Sequence, residues 1–219
     1  SIIIVNLSIF LIMNELKSIY FVNLNKKSNL TYIELNKASF SIFFDTRTST
    51  EVIRDLNSSG VRAYPNFFPC LLVQSDGLRI NNKPLFPLGG ISDITTILAS
   101  ESGYYPIIKT DEHGFNNPKG LYQINKVDIV LTGDSYTEGY SVHSDETISA
   151  VLRESGFNAI SIGKAGNGPL TELAALKEYT EPLQPKIVLW LFLTSDLIDL
   201  VYEEHPLILT KYLYEDNFS

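Results

Sequence analysis

Cysteine is nearly missing from this chain: Cys70 stands alone among 219 residues, so no internal disulfide can form. Histidine is almost as scarce. The chain has three, and no Cys/His cluster has zinc-ligand spacing, which leaves no basis for a structural metal cage and no sign of a cofactor. Positive charge is also short, with 17 Lys+Arg against 25 Asp+Glu and a net charge of −8. A nucleic-acid surface needs clustered cations to meet the phosphate field, so this deficit argues against one. Long apolar runs are absent too. Ten of the twelve residues from Ile2 to Met13 are apolar, but as a helix that run spans only roughly 18 Å of a ~30 Å hydrocarbon core. It lacks the basic start and small-residue cleavage site of a signal peptide. The run fits a buried strand or core helix, or the C-terminal half of a clipped membrane anchor over 1–13. The opening Ser1 in place of Met favours the anchor.

What is present suits a folded protein. Hydrophobic residues make up 44% and charged residues 19%, enough apolar matter to bury a core. The length fits one α/β domain of about 100–200 residues with a smaller attachment. Residues 14–40 show no clean period and read as a helix and a strand. Residues 50–57 read as a short amphipathic helix, capped by Thr48 or Ser49 and stopped by Gly60. Residues 71–80 read as two strands joined across Ser75-Asp76-Gly77. This half is rich in loops, and no catalytic motif emerges from it.

The second half alternates strands and helices. Val127–Leu131 is an apolar run that meets Thr132-Gly-Asp-Ser135; residues 145–156 form a helix that ends at Gly156. Residues 159–162 form a strand breaking into Gly163-Lys-Ala-Gly-Asn-Gly-Pro169, and a helix enters through Pro169. Ile187–Leu193 is a continuous apolar strand, expected to be buried on both faces, that ends in Thr194-Ser-Asp196. Such alternation predicts a parallel sheet, and ligands of these sheets gather at the carboxyl ends of the strands. All three strands end there in polar loops. Ser135, directly after a strand and a Gly-Asp turn, is placed to be a nucleophile with backbone N–H groups nearby. In isolation Gly-Asp-Ser reads more readily as a turn whose serine caps the next segment.

The wider pattern is more specific. Val130-Leu-Thr-Gly-Asp-Ser-Tyr-Thr-Glu-Gly139 resembles the first motif block of the SGNH/GDSL hydrolases, and Ile162-Gly-Lys-Ala-Gly-Asn-Gly-Pro-Leu170 resembles the second. Trp190–Asp196 sits where the third belongs, and Thr110–Pro118 and His205–Ser219 resemble a membrane-anchored bacterial branch of that superfamily. The likeness covers roughly residues 40–219. It implies a three-layer α/β/α, flavodoxin-like parallel sheet over 121–219, incomplete at its C-terminus, with a loop-rich N-terminal extension over 14–120.

The resemblance also implies roles. Ser135 matches the nucleophile and Asp134 its turn residue. Gly166 matches the glycine whose N–H serves the oxyanion hole, with Gly163 the alternative alignment; Asn167 and Asp196 are supporting. Ser195 stands where the third block carries an asparagine amide, and a hydroxyl is the poorer donor. The fourth block, Asp-x-x-His, should supply the general base. Thr110, Tyr140 and Tyr202 precede His113, His143 and His205 by three residues, so none fits, and the expectation is a truncated chain lacking its base. The implied function is a serine esterase or O-acyltransferase on an acylated small molecule, carbohydrate or surface polysaccharide, anchored at a membrane and facing outside the cytoplasm. The rival expectation is a non-catalytic relative whose cleft binds a glycan or a partner protein.

Overall fold

Short apolar runs with no room for a helix become strands when neighbours can pair their backbone, and four of them here align in parallel. The computed structural model describes residues 2–6, 44–75, 77–205, 207–215 and 218. Its main sheet is built from β1 (Ile2–Asn6), β7 (Ile129–Gly133), β8 (Ala159–Ser161) and β9 (Ile187–Phe192), in the order β1-β9-β7-β8. All pairings are parallel, with Ile129 opposite both Ala159 and Ile187. Helix α3 (Ile148–Glu154) connects β7 to β8, and α4 (Pro169–Tyr179) connects β8 to β9. Successive side chains of β7 point to opposite faces. Val130 joins Ile160, Leu170, Ala174 and Leu209 on one side, whereas Ile129 and Leu131 meet Ala159, Leu191 and Leu152 of α3 on the other. The chain is thus a mixed α/β protein with helices against its parallel sheet.

Upstream, β2 (Ala63–Tyr64), β5 (Thr95–Ile97) and β6 (Ile107–Lys109) make a small mixed sheet, and β3 (Leu78–Ile80) pairs antiparallel with β4 (Lys83–Leu85). Val73, Phe86, Leu88 and Phe115 pack into the same apolar cluster as Val130 and Ile160. Helix α1 (Ser49–Ser58) starts at Thr48, whose hydroxyl accepts the Glu51 N–H while the Glu51 carboxylate accepts that of Thr48. Downstream lie α5 (Asp196–Glu203) and α6 (Leu207–Tyr214).

Two expectations need correction. Residues 69–75 form a 3-10 helix, not a strand, with Val73 in the core and Leu71 facing out. The hairpin follows instead, turning on Asn81 and Asn82 at φ of 51° and 63°, the pair of left-handed residues a tight two-residue turn demands. A contiguous Leu-Leu-Val run has no period to separate strand from helix, and the Asn-Asn pair decides the turn. The second correction is β9, which is half-buried along most of its length, with only Leu191 buried. Ile2–Asn6, the start of the N-terminal apolar run, is a strand; residues 7–13 and the helix and strand expected over 14–40 lie outside the described residues. No helix among the described residues is long and apolar enough to cross a membrane.

Strand β8 borders the sheet, and its free edge is closed by a side chain. The Ile162 N–H turns inward to the Leu131 carbonyl, so Ser161 presents its backbone groups outward. Asn117 meets both: its amide donates to the Ser161 carbonyl at 2.7 Å and its oxygen accepts the Ser161 N–H at 2.9 Å. Asp111 holds that amide at 2.9 Å and accepts Tyr122 OH at 2.8 Å. Asn117→Ala would orphan two buried backbone groups, each worth about 1–3 kcal/mol when unsatisfied. A loss of about 2–4 kcal/mol in urea unfolding is expected; a loss below about 0.5 kcal/mol would show the edge is held otherwise.

Candidate functional site

The polar loops that follow β9, β7 and β8 leave adjacent strands, so they lie side by side at the carboxyl edge. Strand β7 ends at Gly133, whose φ of 150° and close neighbours exclude any side chain: a Cβ would overlap Thr137 Oγ1 and the Leu191 carbonyl. The chain then turns through Asp134 into the short helix α2 (Ser135–Glu138). The Asp134 carboxylate accepts the Tyr136 N–H at 3.1 Å and the Ser135 hydroxyl at 3.4 Å. Ser135 is half-buried, so its hydroxyl remains reachable. Burial holds the Asp134 carboxyl above its ordinary range, against the Tyr136 N–H, and the charge of Asp199 adds to the rise.

The loop after β8 is fastened to α2 from beneath. Glu138 and Lys164, each 1% exposed, form a buried ion pair. The second Glu138 oxygen accepts the Ala165 N–H at 2.7 Å, and Lys164 Nζ also donates to Asn66 Oδ1 at 3.2 Å. Gly163 lets the loop press on α2, since a Cβ there would overlap the Thr137 side chain. Gly166 emerges from this loop exposed, beside a pocket of about 380 Å3 lined by Cys70, Leu71, Val73, Asp199, Tyr202 and Glu203. Asn167 is fully buried, and neither its amide nitrogen nor its oxygen has a hydrogen-bond partner.

The loop after β9 carries Ser195, exposed, with its hydroxyl 3.4 Å from Asp196 Oδ1. Asp196 is buried and accepts the Leu193 N–H at 2.7 Å, which fixes the loop. Burial pushes the Asp196 carboxyl up to about 6, and the nearby charges of Asp134 and Asp199 act in the same direction. Asp134 and Asp196 thus share one field, and Gly166 and Asp199 line one pocket. Of the segments that carry Ser135, Gly166 and Ser195, that of Gly166 lines the pocket, and that of Ser135 is joined to it through Glu138 and Lys164.

Further carboxylates complete this end, and nothing in the motif pattern singled them out. Glu203 of α5 caps α4: its oxygens accept the N–H groups of Gly168 at 2.8 Å and Leu170 at 2.7 Å, and the Thr171 hydroxyl at 2.5 Å. Glu172 accepts Trp190 Nε1 at 2.5 Å, while its other oxygen has no partner. Burial drives the Glu172 carboxyl to about 9, so it is neutral near pH 7. Gly168, which has no side chain to cap α4, was the one sequence sign that a partner must supply the cap.

The histidines lie elsewhere. His143 is exposed and stacks on Tyr104 at 4.4 Å, His113 packs against Tyr122 and Tyr179, and His205 is exposed after α5. Among the described residues no histidine side chain hydrogen-bonds to Ser135, and no group of three or more His, Cys, Asp and Glu could hold a metal ion. Comparison with models of known families and with curated proteins finds no match for this chain.

Two stability experiments follow from this geometry. Removing one partner of a buried ion pair strands the other charge, so Lys164→Met should cost about 3–5 kcal/mol in urea unfolding. Glu138→Leu in the same chain should recover much of that loss; a single variant within about 1 kcal/mol of the parent would place the strength of the loop elsewhere. The second experiment concerns pH. Glu172 and Asp196 bind protons more tightly folded, near 9 and 6, than at their ordinary values of 4.5 and 3.8. Their contribution is complete below about pH 4 and drains as pH rises through 6 and then 9. Stability should therefore fall between pH 5 and 9, and Glu172→Gln should flatten the upper part of that slope. An unchanged slope in Glu172→Gln would mean the carboxyl is already ionised in the folded protein.

Proposed function

We propose that Ser135 is the nucleophile of an SGNH-type ester hydrolase or O-acyltransferase, with the flavodoxin-like sheet that family implies. The observation that carries the reading is that the loops of Ser135, Gly166 and Ser195 follow the carboxyl ends of three adjacent parallel strands. In this reading Ser135 Oγ attacks the acyl carbonyl carbon, and the hydroxyl proton passes to a base. The Gly166 N–H and the Ser195 hydroxyl then stabilise the oxyanion. Collapse expels the alcohol and leaves an acyl-serine, which water or a second hydroxyl resolves. Asp134 is the carboxylate that holds the turn. The resemblance extends the proposal to an acylated carbohydrate or surface polysaccharide as substrate and to a membrane-anchored protein outside the cytoplasm. The carboxylates around the site favour a neutral acyl donor, since an anionic one would be repelled.

A second reading, a cleft that binds without catalysis, draws on one observation: no histidine bonds to Ser135 among the described residues. A fluorophosphonate probe separates the two. A nucleophile and its base act as a unit, so this chain should turn over p-nitrophenyl acetate at background and label slowly. Added imidazole, as an external base, should accelerate the adduct at Ser135. Ser135→Ala should abolish it, and Ser195→Asn should raise its rate by about 10- to 10²-fold by restoring an amide donor. Intact-mass spectrometry that finds Ser135 unmodified with and without imidazole would leave the binding reading in place.

A further inference from the structure

The strongest unassigned surface lies on the opposite chemistry: cations and exposed hydrocarbon in an otherwise acidic protein. The β3–β4 hairpin is exposed at every strand position, and it presents Leu78, Ile80 and Leu85 alongside Arg79 and Lys83. Facing it, α6 carries Leu207, Lys211 and Tyr214 at i, i+4 and i+7, one stripe of the helix. Leu207 is 76% and Tyr214 82% exposed. Between hairpin and helix runs an apolar groove of about 480 Å3, floored by Pro84, Ile208 and Phe218 and rimmed by Arg79, Lys83 and Lys211.

The rim charge is largely free. Arg79 and Lys83 have no acidic partner among the described residues; Lys211 lies over the Phe218 ring at 5.1 Å and only 4.0 Å from Glu215. Glu178, which lines the neighbouring pocket with Pro84 and Ile208, accepts the Tyr212 hydroxyl at 2.5 Å. At a net charge of −8 the chain as a whole is repelled by an anionic surface, so three cations gathered on one apolar face orient it.

We propose that this face docks on an anionic lipid bilayer. The three cations meet headgroup phosphates, Leu207 enters the acyl boundary, and Tyr214 sits at the interface, where an amphipathic ring is favoured. A second copy is the poorer occupant, because a two-fold contact would set this cationic rim against itself. The surface is separate from the Ser135 site and stands whatever that site does.

The test is flotation of the full chain with vesicles of phosphatidylcholine alone and of phosphatidylcholine mixed with phosphatidylglycerol. Binding should require the anionic lipid and weaken with salt. Lys83→Gln and Lys211→Gln should each lower the partition coefficient about fivefold. Leu207→Ser should weaken binding with the circular-dichroism melt unchanged, since the side chain is exposed. Equal binding to neutral vesicles, as insertion of the N-terminal apolar run alone would give, overturns the proposal, as does indifference to both lysine variants. A solution dimer that Leu207→Ser dissociates would assign the face to a second copy and overturn it as well.

Discussion

The Glu138–Lys164 pair is the constraint on which the candidate site depends. It joins the end of α2 to the loop after β8, so the Ser135 turn and the Gly166 turn cannot drift apart without exposing or orphaning a buried charge. Desolvating two charges is expensive, and attraction offsets that cost only when the remaining donors and acceptors are met. Here the Ala165 N–H donates to the second carboxylate oxygen and the ammonium also donates to Asn66 Oδ1, while Asn116 Nδ2 holds the Glu138 backbone carbonyl at 2.9 Å. Even the space is made by the backbone. Gly90, from the loop-rich half, runs beside the Gly114 carbonyl and the Lys164 ammonium.

The same pair takes the Lys164 charge out of the electrostatic balance at this end of the sheet. What remains at the carboxyl edge is Asp134, Asp196, Asp199, Glu172 and Glu203, and burial meets that excess in two ways. Glu203 accepts three backbone N–H groups at the start of α4, which oppose the rise that burial imposes on its carboxyl. Glu172, with one donor and one bare oxygen, is instead held neutral by desolvation. Burial raises both carboxyls, and the donors each one meets oppose that rise.

Much of the second half could be read from sequence because its strands are short apolar runs with explicit stops, and their bounds follow Gly133, Gly163 and Pro169 closely. The loops after them could be named as candidate site loops for the same reason. Long-range partners could not. Nothing local to Glu203 says that it caps a helix 33 residues earlier, and nothing local to Asn117 says that it stands in for a strand beside Ser161, 44 residues on. Leu71–Val73 is ambiguous because an apolar triplet carries no period, and the continuous hydrophobicity of β9 does not by itself mean burial on both faces.

Asn117 explains why the segment before β7 matters to a site it does not enter. A three-residue edge strand has little pairing of its own, and Ser161 is the last residue before the loop that carries Gly163 and Gly166. Fraying at Ser161 would release that loop at its root. The Asp111–Asn117–Tyr122 cluster prevents this by fixing the side-chain amide before it pairs, so the bonds to Ser161 form with little further loss of rotamer freedom. Ser161 extends the chain of contacts: its hydroxyl donates to the Thr137 carbonyl at 2.7 Å, inside α2. The 111–122 cluster, the β8 edge and the Ser135 helix are thereby one hydrogen-bonded unit, and the Glu138–Lys164 pair closes it from the other end.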